Sequence, residues 1–268
     1  MSEWLRRHRR LVALGAMVVL LAMLMLGGGR RLLQSREDET WARVQREGVL
    51  RVGMDASFPP FEVEEGGTFR GYDVELAQEI GRRLGLRVAF VNVHFDGLYD
   101  ALLAKRCDVL ISALPYEAER TRDVAYTGGY FNSGQVLVTR RDETGIQAAS
   151  DLVDRRVAVE MGSQAHQEAR LLRDRQRIPL VIVTGRSSEE AFDLLEAGKA
   201  DAVLADAITA RGALRSRQEL AIRGTPLTNE PFVIAARQDS PQLYAAVNGV
   251  LIALREEGWL ESLAERLL

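Results

Sequence analysis

RVGMDASF (residues 51–58) and RVAVEMGS (156–163) share an Arg-Val start, two further residues and then an acid. A second pair follows in the same order in each half: AKRCDVLISA (104–113) and AGKADAVLAD (197–206). Each of these is a basic turn, an Asp, a run that reads as a buried strand, and a small or acidic residue. Two short repeats in one order predict two similar α/β lobes, each delivering side chains at the C-terminal ends of its strands. In open α/β sheets that edge is where ligands bind. Two such edges facing one another would leave a cleft between the lobes.

The surrounding chain fits this plan. Strands are expected over 49–54, 87–93, 108–113, 135–140, 156–160, 180–184, 202–205 and 232–236. Between the first two, residues 72–85 place Val74, Ala77, Ile80 and Leu84 on one stripe, the period of an amphipathic helix. Asp73 and Glu75 fall in its first turn, where the helix dipole favours anions. Strand–helix alternation predicts mainly parallel pairing. Pro59 and Pro60 cannot continue a central strand, so Asp55 and Phe58 stand where a strand gives way to a rigid turn.

Composition excludes several classes. With 47% apolar and 27% charged residues the 268-residue chain is that of a folded protein, large enough for two modest domains. A net charge of −3 with no dense basic patch argues against nucleic acid. Three histidines and the single Cys107 make no recognisable metal cluster, and no cofactor is expected. Cys107 has no partner for an intrachain disulfide and is expected to pack as a small apolar residue. Four arginines in residues 1–10 precede an uninterrupted apolar run, 11–26. As a helix this run reaches about 24 Å, and residues 27–29 extend it towards the roughly 30 Å of a hydrocarbon core. Residues 1–40 are thus a signal peptide or a membrane anchor with its linker, and residues 11–29 are a candidate tether. The charge bias puts the remainder outside the cytoplasm in either case.

VGMDASFPPFE, GYDVELAQEIGRRLG, DVLISALPYEAERTRDVAYT, VAVEMGSQ and DAVLAD, taken in sequence, resemble the periplasmic solute-binding proteins of the polar amino acid class. The likeness runs from about residue 45 to the closing REEGWLESLAERLL. It implies a two-lobed periplasmic-binding-protein-like (type II) fold, with segments crossing near 131–136 and 228–232. Lobe one would be 41–132 plus 231–268, and lobe two 133–230. It also implies an amino acid ligand and an ABC importer permease as partners.

The resemblance assigns roles position by position. Arg120 matches the arginine that holds a ligand α-carboxylate, for which a guanidinium offers a planar fork. Asp206 matches the acid that pairs with the ammonium, and it could equally cap the helix that follows. Ser112 matches a group accepting from the ammonium, alongside Ala113 and Leu114; the alternative for Ser112 is a buried hydroxyl. Ser163 and Gln164 open a helix whose amides could bind the carboxylate. Phe58 and Phe95 match aromatic walls, against a core reading for any isolated Phe. Asp55 either faces the side-chain end of the pocket or caps its own turn.

Two departures bear on the ligand. Pro115 stands where many relatives carry Ser or Thr, and it can donate neither amide nor hydroxyl. Glu160 stands where relatives carry a neutral residue; with Asp55 it would make the pocket acidic and favour a cationic side chain, unless it pairs with an arginine outside. The rival from another class is a small dehydratase on the same fold, with Glu160 as general acid.

Overall fold

The computed structural model describes residues 38–268; the apolar run 11–29, and with it the leader-or-anchor reading, lies outside them. Among the described residues no helix is long and apolar enough to cross a membrane.

Two five-stranded sheets form the cores of two lobes. The first runs in the order Arg87–Asn92, Val49–Met54, Val109–Leu110, Ala235–Arg237, Val124–Tyr126; the second runs Val181–Gly185, Arg156–Glu160, Ala202–Asp206, Gln135–Arg140, Leu220–Arg223. Pairing is mixed rather than mainly parallel. In each sheet the first three strands are parallel and the last two pair antiparallel with their neighbours. The reason is connectivity. Ala235–Arg237 and Gln135–Arg140 enter straight from the crossing segments, with no crossover helix to set them parallel.

The repeated motifs make one ion pair twice. In lobe one the Arg51 amide donates to Asp108 Oδ2 at 2.9 Å, and its guanidinium bonds Oδ1 at 2.8 Å. In lobe two the Arg156 amide donates to Asp201 Oδ2 at 2.8 Å, and its guanidinium bonds Oδ1 at 2.7 Å. Arg156 opens its strand and Arg51 is the third residue of its own, and each aspartate directly precedes the parallel neighbour. The pair therefore fixes strand register at the edge opposite the strand ends that carry the site.

Residues 72–84 form the expected helix, burying Val74, Ala77 and Ile80 and closing on Gly85 in the left-handed region. Gly71, with φ +126°, is required at its start: a Cβ there would lie 2.2 Å from the Phe61 carbonyl oxygen. Asp73 is not a dipole ligand facing water, because it is fully buried. Strand 108–113 shortens to Val109–Leu110, since the chain turns at Ala113 with φ +43°. The run 232–236 divides between Pro231–Phe232 and Ala235–Arg237.

Phe131–Asn132 and Pro231–Phe232 pair antiparallel where the chain passes between lobes. The two passages touch closely: a Cβ on Gly134 would fall 2.1 Å from the Thr228 carbonyl oxygen. Phe61 packs here, its ring centroid 5.2 Å from Phe131, 5.3 Å from Phe232 and 5.5 Å from Tyr72. The turn after the first strand is thereby anchored to the crossing. Cys107 is buried in lobe one as a small apolar residue.

Candidate ligand-binding cleft

The second lobe gathers polar residues at its strand ends. A cavity of about 180 Å³ is lined by the polar residues Gln135, Glu160, Ser163, Gln164, Ser188 and Asp206, together with residues 203–205 of the strand that ends at Asp206. Four of these six are expected site residues; Gln135 and Ser188 were not foreseen. Asp206 ends its strand and caps the helix Ala207–Leu214, its Oδ1 accepting the amides of Ile208 (3.1 Å) and Thr209 (2.8 Å). Both of its readings are therefore compatible, since Oδ1 serves the helix and Oδ2 remains for a ligand. Ser163 caps Gln164–Asp174, accepting the His166 amide at 3.1 Å. Glu160 Oε2 accepts the Ser188 hydroxyl at 2.5 Å, so its partner is a serine and not an arginine. Gln135 is buried, and its Oε1 has no hydrogen-bond partner among the described residues.

The first lobe contributes a connected floor. The Asp55 amide donates to Ser112 Oγ at 2.9 Å, and the Asp55 carboxylate accepts Ser57 Oγ (2.7 Å) and the Phe95 amide (2.7 Å). Asp55 thus caps its own turn and orients the segment carrying Phe95. Phe58 and Phe95 are 45% and 42% exposed, which places both rings on the surface rather than in the core. Ser112 takes the buried-hydroxyl alternative, donating to Glu62 Oε1 at 2.7 Å. The Ala113 amide is engaged by Asp73 Oδ2 (2.6 Å) and the Tyr130 hydroxyl (3.0 Å). Leu114 is fully buried and its carbonyl accepts the Val233 amide at 2.9 Å, so it belongs to the core beneath the site.

Arg120 lies in the short helical turn Ala118–Arg122, about half exposed. Its guanidinium carbon sits 4.0 Å over the Tyr99 ring, and Nε bonds Glu117 Oε2 at 2.6 Å. Stacking and ion pair together hold the guanidinium flat, leaving its terminal nitrogens as a fork. Sequence reading missed Glu117 and Tyr99; the i, i+3 spacing of Glu117 and Arg120 was the available signal.

Glu62 and Asp73, both buried behind this floor, have carboxyls pushed up from the ordinary range, chiefly by burial. Tyr130, donating to Asp73 Oδ2 at 2.8 Å, is also pushed up, by burial and by these two acids. Roomier grooves lie elsewhere, about 390 Å³ beside Tyr116 and Tyr244, about 590 Å³ beside Arg211 and Leu260 and about 570 Å³ beside Glu75 and Trp259, and none of the three includes the expected residues.

A two-lobed α/β protein with polar strand ends facing a crossing segment has the architecture of an extracytoplasmic solute receptor. Residues 50–268 match the bacterial extracellular solute-binding proteins, family 3, and the chain belongs to that family. It is similar to the L-cystine-binding protein TcyJ of Escherichia coli (strain K12), 28% identical over 228 residues that cover 84% of each chain. An ancestral cationic amino acid solute-binding protein is 29% identical with a TM-score of 0.60, covering 85% of this chain and 99% of that one. An ancestral cyclohexadienyl dehydratase shares the fold at 23% identity with a TM-score of 0.74, covering 84% of this chain and 94% of that one.

Proposed function

We propose that the protein captures a small amino acid with a cationic side chain outside the cytoplasm, without chemistry, and delivers it to an ABC importer permease. The observation that carries the ligand class is the lobe-two pocket, where Glu160 and Asp206 line one small cavity with no basic side chain among its lining residues. Asp206 would take the ligand ammonium, leaving Glu160 for a positive group further along. Asp55 adds less than its sequence position suggests, because both of its oxygens are committed to the adjoining turn. The relative named for cationic amino acids supports this class, and the one named for cystine supports an amino acid zwitterion.

Arg120 would hold the α-carboxylate from lobe one, helped by the helix amides at Ser163 and Gln164. Phe58 and Phe95 would cover the side chain. Only contacts that differ between open and closed forms can drive closure. Joining Arg120 on one lobe to Asp206 on the other supplies such contacts by hinge motion. The lobes are assigned as 41–132 with 231–268, and 133–230, with residues 11–29 as leader or tether. The dehydratase reading has no comparable support, since a likeness at 23% identity establishes the shared fold alone.

Thermal-shift screening against the standard amino acids and ornithine is the test. Stabilisation by arginine, lysine or ornithine is expected, with Glu160→Gln reducing it. A strong response to glutamate or glutamine and none to arginine rejects the cationic class, and turnover of a prephenate-like acid rejects the absence of chemistry.

A further inference from the structure

Two carboxyl groups behind the lobe-one floor are enclosed without a cation. Glu62 opens the strand Glu62–Glu65 and Asp73 lies in the first turn of the helix Tyr72–Leu84; both are buried. Glu62 Oε1 accepts the Ser112 hydroxyl at 2.7 Å. Asp73 Oδ2 accepts the Ala113 amide at 2.6 Å and the Tyr130 hydroxyl at 2.8 Å. Glu62 Oε2 and Asp73 Oδ1, one oxygen of each acid, have no donor among the described residues. Their partners Ser112 and Ala113 are adjacent in the chain, which brings the two carboxyls side by side, and the other titratable groups around them are Asp55, Tyr72 and Tyr130. No arginine, lysine or histidine among the described residues forms an ion pair with either acid.

A buried carboxylate without a partner costs several kcal/mol. Two of them side by side cannot both ionise near neutral pH. We propose that Glu62 and Asp73 share one proton between their two unpartnered oxygens, and that this pair is the positioning device for the Ser112–Ala113 turn beneath the cleft. The shared proton leaves the outer oxygens as pure acceptors. The Ser112 hydroxyl must then point at Glu62, so its Oγ accepts the Asp55 amide at 2.9 Å. The Ala113 amide is held in a residue whose φ of +43° an L side chain rarely adopts. Tyr130, the third donor, directly precedes the crossing strand Phe131–Asn132. The pair therefore joins the strand end, the turn and the crossing. That the turn serves ligand binding rests on the function proposed above.

The sign of the pH dependence follows from the upward shifts. Stability from the protonated pair is complete below the ordinary carboxylate range and is lost as pH rises towards the folded-state values. Folding across that window takes up one proton.

Urea unfolding of the full chain at a series of values from about pH 6 to 9 tests this with wild type, Glu62→Gln and Asp73→Asn. Either amide puts an N–H where the shared proton lies. The wild-type folding constant should fall about tenfold per pH unit relative to each variant. The Ala113 amide should lose hydrogen-exchange protection over the same range in wild type and keep it in Glu62→Gln. Profiles parallel to wild type in either variant, failure of both to fold at pH 6, or Ala113 protection that ignores the pair would overturn the proposal. Calorimetry with L-arginine at each pH is the separate arm. Failure to bind at any pH rejects the ligand reading, while unfolding and exchange still decide the shared proton.

Discussion

The side-chain amide of Gln164 donates to Glu230 Oε1 at 2.7 Å, joining the first residue of a lobe-two helix to the second crossing segment. The same oxygen accepts the Thr228 hydroxyl at 2.8 Å, and that hydroxyl accepts the Gln135 amide, also at 2.8 Å. On the other side the Glu230 amide donates to Asn132 Oδ1 at 2.9 Å, in the first crossing segment. A rotation of one lobe on the other cannot leave the amides at the helix start behind, since they are tied to both passages.

Glu230→Ala should therefore lower ligand affinity without touching the ligand. The loss of two hydrogen bonds at a partly exposed site is worth roughly 1–2 kcal/mol. Calorimetric titration with L-arginine reads it, and Glu230→Gln, which keeps an acceptor, should recover most of it. Equal losses in the two variants would mean that charge at 230, not the bond, is what matters.

Arg120→Ala should weaken L-arginine binding by roughly 2–4 kcal/mol, because a charge-assisted fork is removed from a closed cleft. Melting of the unliganded chain should barely change, since the bond to Glu117 lies on an exposed turn. Arg120→Lys should not restore affinity, as an ammonium lacks the planar fork that Tyr99 and Glu117 hold flat. Unchanged affinity in the alanine variant removes Arg120 from the site.

Asp206→Asn separates capping from recognition. Asparagine caps helices about as well as aspartate, whereas alanine at such a position costs about 1 kcal/mol. The Asn variant should melt like wild type yet lose L-arginine; the Ala variant should lose both stability and binding. Retained affinity in Asp206→Asn would show that the ligand ammonium is held elsewhere.

The repeated motifs made the two-lobed plan legible because each lobe reuses one Arg–Asp lock, and the short stretches around its two partners recur in the same order in both halves. The polar strand ends Glu160 and Asp206 were legible for the same reason. What escaped was non-local. Whether Phe58 or Phe61 enters the core depends on the aromatic rings of the crossing strands, residues 131 and 232, far along the chain. Asp73 looked like an ordinary first-turn acid because nothing nearby reveals that Glu62 and the Ala113 amide close over it. Antiparallel entry of the last strands escaped because strand periodicity carries no direction. Gln135 reads as one residue of an apolar strand, and only its antiparallel register with Asp206 brings it to the pocket.

The duplicated lock also sets up an internal comparison. The Asp108 side chain is 0% exposed and also bonds Arg43 at 2.5 Å, while Asp201 is 18% exposed and has no equivalent third partner among the described residues. Asp108→Ala leaves two guanidinium groups and the Arg51 amide without their buried acceptor, a loss of roughly 3–5 kcal/mol. Asp201→Ala should cost clearly less, because water can replace the missing carboxylate. The Arg156 guanidinium holds the Asp201 carboxyl below its usual range. Its contribution is therefore present above the unfolded-state value and lost as pH falls through the folded-state one. Urea unfolding at neutral and acid pH should show that acid-side loss in wild type and its reduction in Asp201→Asn. Equal destabilisation by the two alanine variants would mean that burial does not set the strength of the lock.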